Sequence, residues 1–427
     1  AGVSFERPVV MILSAVGVIA LLFFLPSTAL GTISPVMAKY ALVQSEKIGS
    51  TVGNIYASSA AGSILGTFLS GFVLVPFLGI RTVVFVVAAV IALLTLLIRT
   101  PKKILAGWMG MLGVLFFLSV AAPAWGVFGR SPGVVFRTDS MYSHIVVTDE
   151  ADETRSLVMD GLVHNMYDPE NPDKLLYEYE RIFESATNTL AARPSEEPGG
   201  PDESASPPLR TLTLGGGALT FPSYLERHYP KGEHHVVEID PEVVETAFGY
   251  FDIPRDSDLE IHVMDARQYV RNSVGSEKFD IIYLDVFNSY SIPYHLTTLE
   301  FTEDLKELLA EDGVLLVNLI DIFEIGKFLG AYSATAEEVF DHTAVYADEE
   351  FFESGRSTFV LAATGGPAGL GDLGLGALLS QEGERFVPIS DERIDALQKR
   401  NRSRPLTDNH APVENLIAPV FLEAAKG

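Results

Sequence analysis

The chain of 427 residues contains no cysteine, which excludes disulfides, thiolate metal sites and a cysteine nucleophile while leaving the compartment open. It is also short of positive charge. Thirty Lys and Arg residues stand against 56 Asp and Glu, a formal net charge of −26. Binding to phosphate backbones requires a cationic surface, so nucleic acid is disfavoured as a partner. The third shortage is local. Up to residue 128 there are two acids, Glu6 and Glu46, and seven basic residues, which leaves 23 basic and 54 acidic residues for the remainder. A nearly uncharged first part and a strongly acidic second part imply two environments. An acidic surface suits a cationic substrate, and it equally keeps a protein dissolved in high salt.

The uncharged part holds four apolar runs, residues 9–30, 52–78, 82–98 and 104–122. A helix needs roughly 20 such residues to cross a bilayer. The second run is rich in small residues (Ala60, Ala61, Gly62, Ser63, Gly66, Ser70, Gly71), which let helix backbones approach closely. None of the runs has the polar face of a soluble amphipathic helix, and four in succession are not a secretory signal. Residues 1–128 are therefore expected to form a multi-pass integral membrane region of four helices with the lipid bilayer as its partner. The start at Ala1 rather than Met leads to the expectation of a preceding portion. Counting Lys and Arg across the runs places the acidic part outside. A nucleotide ligand made in the cytoplasm places it inside, and the cytoplasmic side is the expectation adopted.

Residues 129–172 change to short alternating runs, 144–148 and 155–159, read as a small β-hairpin region. Residues 173–192 have helical spacing, and residues 193–208 form a Pro, Ser, Gly and Glu stretch too polar to pack, read as a flexible insertion. From Arg210 the pattern becomes strand, glycine turn, helix, strand, acid. A β run at 210–214 meets Gly215-Gly216-Gly217, a helix follows near 221–228, and a strand at 235–239 ends in Glu238-Ile239-Asp240 before a helix opened by Pro241. Glycines let the backbone turn sharply and admit a ligand without a Cβ in the way. An acid about 20 residues on accepts hydrogen bonds from ribose hydroxyls. No glycine occurs in Ala218-Leu219-Thr220, which departs from the dinucleotide pattern. Further strands at 260–263, 279–284 and 313–319 alternate with helices near 266–272 and 302–310, giving a largely parallel sheet with ligands at its carboxyl end. Residues 173–427 are thus expected to form a Rossmann-like α/β domain of the class I methyltransferase type. Asp265 and Asp285 fall at strand ends, the first reading equally well as a helix cap. Asp285 leads into a loop with Tyr290, Pro293, Tyr294 and His295, a composition suited to an amine.

These features, with Gly53-Asn54-Ile55-Tyr56 through Gly66-Thr67-Phe68, Leu157-Val158-Met159-Asp160-Gly161, Tyr177-Glu178-Tyr179, Ile292-Pro293-Tyr294-His295-Leu296-Thr297-Thr298, Glu300-Phe301 and Leu406-Thr407-Asp408, resemble the spermidine synthases. The likeness is closest to membrane-fused members in which a transporter-like helical region precedes the catalytic fold. The resemblance implies transfer of an aminopropyl group from decarboxylated S-adenosylmethionine to a small amine. By it Gly215, Gly216 and Gly217 cradle the donor, Glu238 holds the ribose, Asp265 and Ala266 the adenine, and Tyr177 lines the cleft. Asp285 helps deprotonate the attacking amine, and Asp160, Asn288 and Tyr290 lie on the substrate side. The family's glycine turn continues into an acid where this chain has Ala218, and its second cleft acid is here Asn288. These departures keep two alternatives open: methyl transfer from intact S-adenosylmethionine, and a non-catalytic subunit or transport-coupled sensor. A homo-oligomer or a membrane-complex partner also stays open. His144, His164, His295 and His410 match no ligand spacing, so no metal is expected.

Overall fold

The computed structural model describes residues 6–43, 48–97, 107, 110, 113, 133–193, 208–276, 278–287, 292–347, 355–381 and 383–420. They belong to two compact units that divide between Arg130 and Ser131.

In the first unit α1 (Glu6–Leu42) and α2 (Ile48–Leu69) touch side by side, with a hydrogen bond from Ser34 Oγ to Ser59 Oγ at 3.2 Å. Two stretches are long and apolar enough to cross a membrane, Val16–Leu42 and Ile48–Leu74. The runs at 52–78 and 82–98, expected as separate crossings, are joined: a π turn (Ser70–Leu74) connects α2 to α3 (Val75–Leu97) without a break. The irregularity falls at the π turn rather than near Gly79 because Pro76 has no N–H to donate back along the helix. A widened turn just ahead of it, with Val75 N–H on Ser70 O, absorbs the defect. A Cβ at Gly62 or Gly66 meets nothing within 4 Å, so the small-residue stripe is not where the described helices meet. The run at 104–122 lies almost entirely outside the described residues, as does most of the insertion at 193–208.

The second unit opens with a four-stranded antiparallel meander, β1 (Val134–Asp139), β2 (His144–Asp149), β3 (Arg155–Met159) and β4 (Leu162–Tyr167). The expected hairpin is its middle; β1 and β4 flank it. Asp160 and Gly161, with φ of 51° and 85°, form the tight turn between β3 and β4 that suits the twist of paired strands.

The main sheet follows α4 (Glu178–Ala191). It contains β5 (Arg210–Leu214), β6 (Glu233–Glu238), β7 (Glu260–Val263), β8 (Phe279–Leu284), β9 (Leu309–Ile322), β10 (His342–Ala347), β11 (Arg356–Thr364), β12 (Leu378–Leu379) and β13 (Arg385–Pro388). Its order is β12-β13-β10-β11-β9-β8-β5-β6-β7. Strands β5 to β9 are parallel, and β11 is inserted antiparallel between β9 and β10. This is the strand order of the class I methyltransferase fold. Helices α5 (Thr220–His228), α6 (Pro241–Tyr250), α7 (Ala266–Ser273), α8 (Leu299–Leu308) and α9 (Phe328–Val339) connect the strands. The central strands are apolar on both sides, as helix-covered parallel strands must be; Ile281, Ile282, Tyr283 and Leu284 are all fully buried.

The C-terminal segment, with α10 (Asp391–Asn401) and α11 (Val413–Leu416), returns across this body. Arg267, in the first turn of α7, grips Asp408 with two bonds of 2.6 and 2.7 Å and also donates to His295 O at 3.0 Å. Asp408 further accepts from Thr298 Oγ1 at 2.8 Å, so a single carboxylate ties the C-terminal segment and the segment at 295–298 to the helix that follows β7. The hydrogen bonds from Arg267 hold the Asp408 carboxyl below the ordinary range. Asp408→Ala is expected to cost about 1–2 kcal/mol, since it leaves a buried guanidinium with only the carbonyl of His295, while the partial exposure of the carboxylate moderates the loss. The depressed carboxyl contributes above the ordinary carboxylate range and loses that contribution as pH falls through it. Urea midpoints of the two proteins should therefore differ at neutral pH and converge in acid; equal midpoints at neutral pH would refute the role.

Candidate functional site

The chain runs from β5 outward to β6 and β7, then crosses back to place β8 on the other side of β5. The carboxyl ends of β5 and β8 therefore part company, and such a crevice is where ligands bind in open α/β sheets. Gly215 ends β5 with φ of 94°, and a Cβ there would lie 2.1 Å from the carbonyl oxygen of Asp285. Glycine alone fits this crossing. Behind it lies a cavity of about 440 Å³ lined by both strand ends, the glycine turn, α4 and the small meander.

Glu238, at the end of β6, accepts the N–H groups of Gly216 and Gly217 on one oxygen at 2.9 and 3.2 Å. Its other oxygen accepts from Asp240 N–H at 3.0 Å, and burial pushes its carboxyl up against these bonds. Asp240 caps α6 through Glu242 N–H and also takes the hydroxyl of Ser140, which fastens the meander over the turn. Asp265 caps α7 through Gln268 N–H at 2.9 Å while its second oxygen lies 3.2 Å from His295 Nε2. The cap and a cavity position thus coexist in Asp265, with Ala266 beside it in the lining.

Asp285 sits at the crevice, held by Asn318 Nδ2 at 2.8 Å and by the hydroxyl of the buried Tyr179. Burial raises its carboxyl, and the two hydrogen bonds only partly offset this. Tyr177 and Tyr179, with ring centroids 5.7 Å apart, enter from the start of α4. Burial raises both phenols. Glu180 comes with them: it is 2 % exposed, accepts Tyr177 N–H at 3.3 Å, and is pushed up to about 8 by burial, with Asp285 adding to the rise. From the meander, Asp160 accepts His144 N–H at 3.0 Å at the cavity wall, and Asn165 donates to Thr220 Oγ1 at 2.8 Å. Among the described residues, the buried amide oxygens of Asn165 and Asn318 have no hydrogen-bond partner. Asn288 and Tyr290 lie outside the described residues. Ala218 is fully buried in the apolar cluster under the meander and is not part of the cavity wall.

The described wall carries six carboxyl groups (Asp160, Glu180, Glu238, Asp240, Asp265, Asp285) and neither Lys nor Arg. Unpartnered amide oxygens add to its hunger for donors, so the cavity is built for a cationic, donor-rich ligand. Glu180, Tyr179, Asn165 and Asn318 were not anticipated as site residues. Glu180 had a signal: Glu180, Phe183 and Thr187 share one face of α4, so an acid stands on the buried side. Asn318 had another, as the lone amide within the apolar run of β9.

Residues 201–347 match the spermine/spermidine synthase domain. A polyamine aminopropyltransferase of Vibrio vulnificus is 39% identical over 134 residues, covering 31% of this chain and 44% of that protein. The eEF1A lysine and N-terminal methyltransferase of Mus musculus is 28% identical over 121 residues, 26% of this chain and 17% of its own length. The crystal structure of a probable spermidine synthase from Corynebacterium glutamicum aligns with 66% of this chain and 98% of its own at 21% identity and a TM-score of 0.49. The chain spans between 28% and 56% of the length of the first curated relatives it matches. The domain match includes Gly215, Glu238, Asp265, Asp285 and Asn318; Tyr177, Glu180 and Asp160 lie before it.

Glu180 yields a stability test. In the folded protein its carboxyl stays protonated up to about pH 8, whereas in the unfolded chain it ionises in the ordinary carboxylate range. The folded state then binds the extra proton, so stability falls as pH rises through that window and levels off above it. Glu180→Gln cannot ionise. The variant should match wild type in acid, gain on it steadily as pH rises above the ordinary carboxylate range, and keep a constant lead above about pH 8; thermal melts without ligand that stay parallel at every pH would overturn the assignment.

Proposed function

We propose that this chain is a membrane-anchored aminopropyltransferase of the spermidine synthase type, taking decarboxylated S-adenosylmethionine as donor and a diamine as acceptor. The wall of six carboxyls without Lys or Arg carries this reading. The decarboxylated donor brings a sulfonium and an ammonium, and a diamine brings two ammonium groups, so every ligand charge opposes the wall. Intact S-adenosylmethionine adds a carboxylate that the described wall offers no cation to receive. The similarity to aminopropyltransferases supports the same choice.

In this reading the N–H-rich glycine turn and Glu238 hold the ribose, and Asp265 with Ala266 borders the adenine. Asp285 removes a proton from the attacking ammonium, because nitrogen is a nucleophile only after its lone pair is freed. The free amine then attacks the propyl carbon bound to sulfur. A C–N bond forms, the C–S bond breaks, and its electron pair returns to sulfur, leaving a neutral thioether. Burial raises the Asp285 carboxyl and so makes its ionised form a stronger base than an ordinary aspartate, and Asn318 and the Tyr179 hydroxyl keep it aimed. Glu180, neutral in the empty cavity because burial disfavours its charge, ionises against the far ammonium of a diamine and so offers the second acid that Asn288 does not. The apolar first unit anchors the enzyme in a bilayer, with the acidic domain on the cytoplasmic side where the donor is made.

Calorimetric titration with each donor separates the alternatives. The decarboxylated form should bind at least tenfold more tightly than the intact form, a difference of about 1.4 kcal/mol. The opposite order would replace aminopropyl with methyl transfer, and binding of neither would favour a non-catalytic role. Asp285→Asn should lower kcat by about 100-fold or more, the usual worth of a general base, while donor affinity changes less than about twofold. A variant with normal turnover would leave Asp285 a structural residue.

A further inference from the structure

We infer that His235, His262 and Glu260 form a binding site for a divalent transition-metal ion of the zinc type on the outer strands of the sheet. The site is independent of the proposed transfer reaction. It follows first from register. Strands β6 and β7 are parallel neighbours, with His235 opposite Glu260 and Val237 opposite His262. Side chains alternate along a strand with a period of two, so His235 and Val237 share a face, and so do Glu260 and His262. The pairing brings two imidazoles and a carboxylate to one patch, to which α7 adds the hydroxyl of Tyr269.

The ligand atoms of His235, Glu260 and His262 all lie within 4.8 Å of one another, close enough to share one ion. His235 Nδ1 lies 3.4 Å from His262 Nε2, 3.5 Å from Glu260 Oε2 and 3.4 Å from Tyr269 Oη. A strong hydrogen bond between such atoms is shorter, about 2.7–3.2 Å. Zinc bonds of about 2.0–2.1 Å place the corners of a tetrahedron about 3.4 Å apart. Three imidazole or carboxylate ligands with an open fourth position, filled by water or by Tyr269, are a familiar zinc arrangement, and nitrogen-rich sets favour zinc over magnesium or calcium. Access and rigidity also agree. His235 is 4 % exposed and packed edge-on against Phe279, whereas the Glu260 side chain is 60 % exposed and opens the patch to solvent.

None of these residues lines the cavity. His235 precedes the cavity residue Glu238 by three positions on β6, roughly 10 Å at 3.3 Å per residue. Tyr269 follows the cap Asp265 by one helical turn. An ion held here would fasten β6, β7 and α7, the three elements that carry Glu238 and Asp265 to the donor end of the cavity. Its role is thus a clip on the sheet's outer edge, next to a strand with only one neighbour.

The test uses the full chain in detergent, stripped with a chelator and titrated with zinc chloride by calorimetry, with cobalt as a spectroscopic probe. Wild type should take up one equivalent of zinc, give the visible absorption of tetrahedral cobalt, and melt at a higher temperature with zinc than without. Glu260→Gln and His262→Gln, on the edge strand, avoid disturbing the buried His235. Each should weaken zinc binding by at least about tenfold, as losses at metal sites do, while the stripped variants melt as the stripped wild type does. Absence of stoichiometric uptake would overturn the site. So would equal uptake by both variants, which would put the zinc on other histidines.

Discussion

Everything at the candidate site depends on a backbone contact between two strand ends. Gly215 and Asp285 approach so closely that the missing Cβ of the one makes room for the carbonyl of the other. The contact is held on both sides, by Gly215 N–H on Val237 O and by Asp285 N–H on Leu214 O, each at 2.9 Å. Because the chain reverses its direction of travel across the sheet here, the side chains beyond the contact diverge. The glycine turn and Glu238 go one way, Asp285 and Asn318 the other. The cavity thus opens between two sets of side chains on opposite sides of one crevice.

The second constraint is electrostatic. Acids in a partly dry cavity resist ionisation because burial strips water from the charge, which raises Glu180, Glu238 and Asp285 alike, with Asp285 adding to the rise at Glu180 and Asp240 at Glu238. The fold tolerates this because each is hydrogen-bonded: Glu238 by three backbone N–H groups, Asp285 by Asn318 and Tyr179, Glu180 by Tyr177 N–H. What the described wall does not supply is positive charge, and a polycationic ligand does. The same deficiency that costs the empty protein stability is a source of affinity and of discrimination against ligands with a carboxylate.

The meander closes the cavity over the carboxyl ends of the sheet, and the C-terminal segment braces the helix behind it. The meander is pinned through Ser140 on Asp240, Asn165 on Thr220 and Arg155 on the carbonyl of Tyr250, and its Ile145, Val147 and Leu157 pack with Val236 and Val243. At the other end, Asp408 binds Arg267 beside the Asp265 cap. Both are anchored at acids of the cavity wall or beside them, at Asp240 for the meander and at Arg267, two residues after Asp265, for the C-terminal segment.

The sequence by itself determined the local order of elements from Arg210 to Leu319. Hydrophobic runs, the glycine turn, Pro241 and the acids after β6, β7 and β8 are nearest-neighbour signals, and the strands at 260–263 and 279–284 have the boundaries read from them. The apolar first unit was legible for the same reason, although the joint at Pro76 between α2 and α3 was not, because the adjustment is a hydrogen-bond shift that leaves hydropathy unchanged. Strands β10 to β13 carry only weak alternation, and their places come from pairing with partners distant in the chain. Tertiary structure alone decided that Glu180 meets Asp285, that Ala218 turns into the core, that Asn165 crosses from the meander, and that His235 and His262 face one another. Each of these rests on which strands pair and in what register, a global choice made by burial and hydrogen-bond satisfaction over the whole sheet, and no window of neighbouring residues contains it.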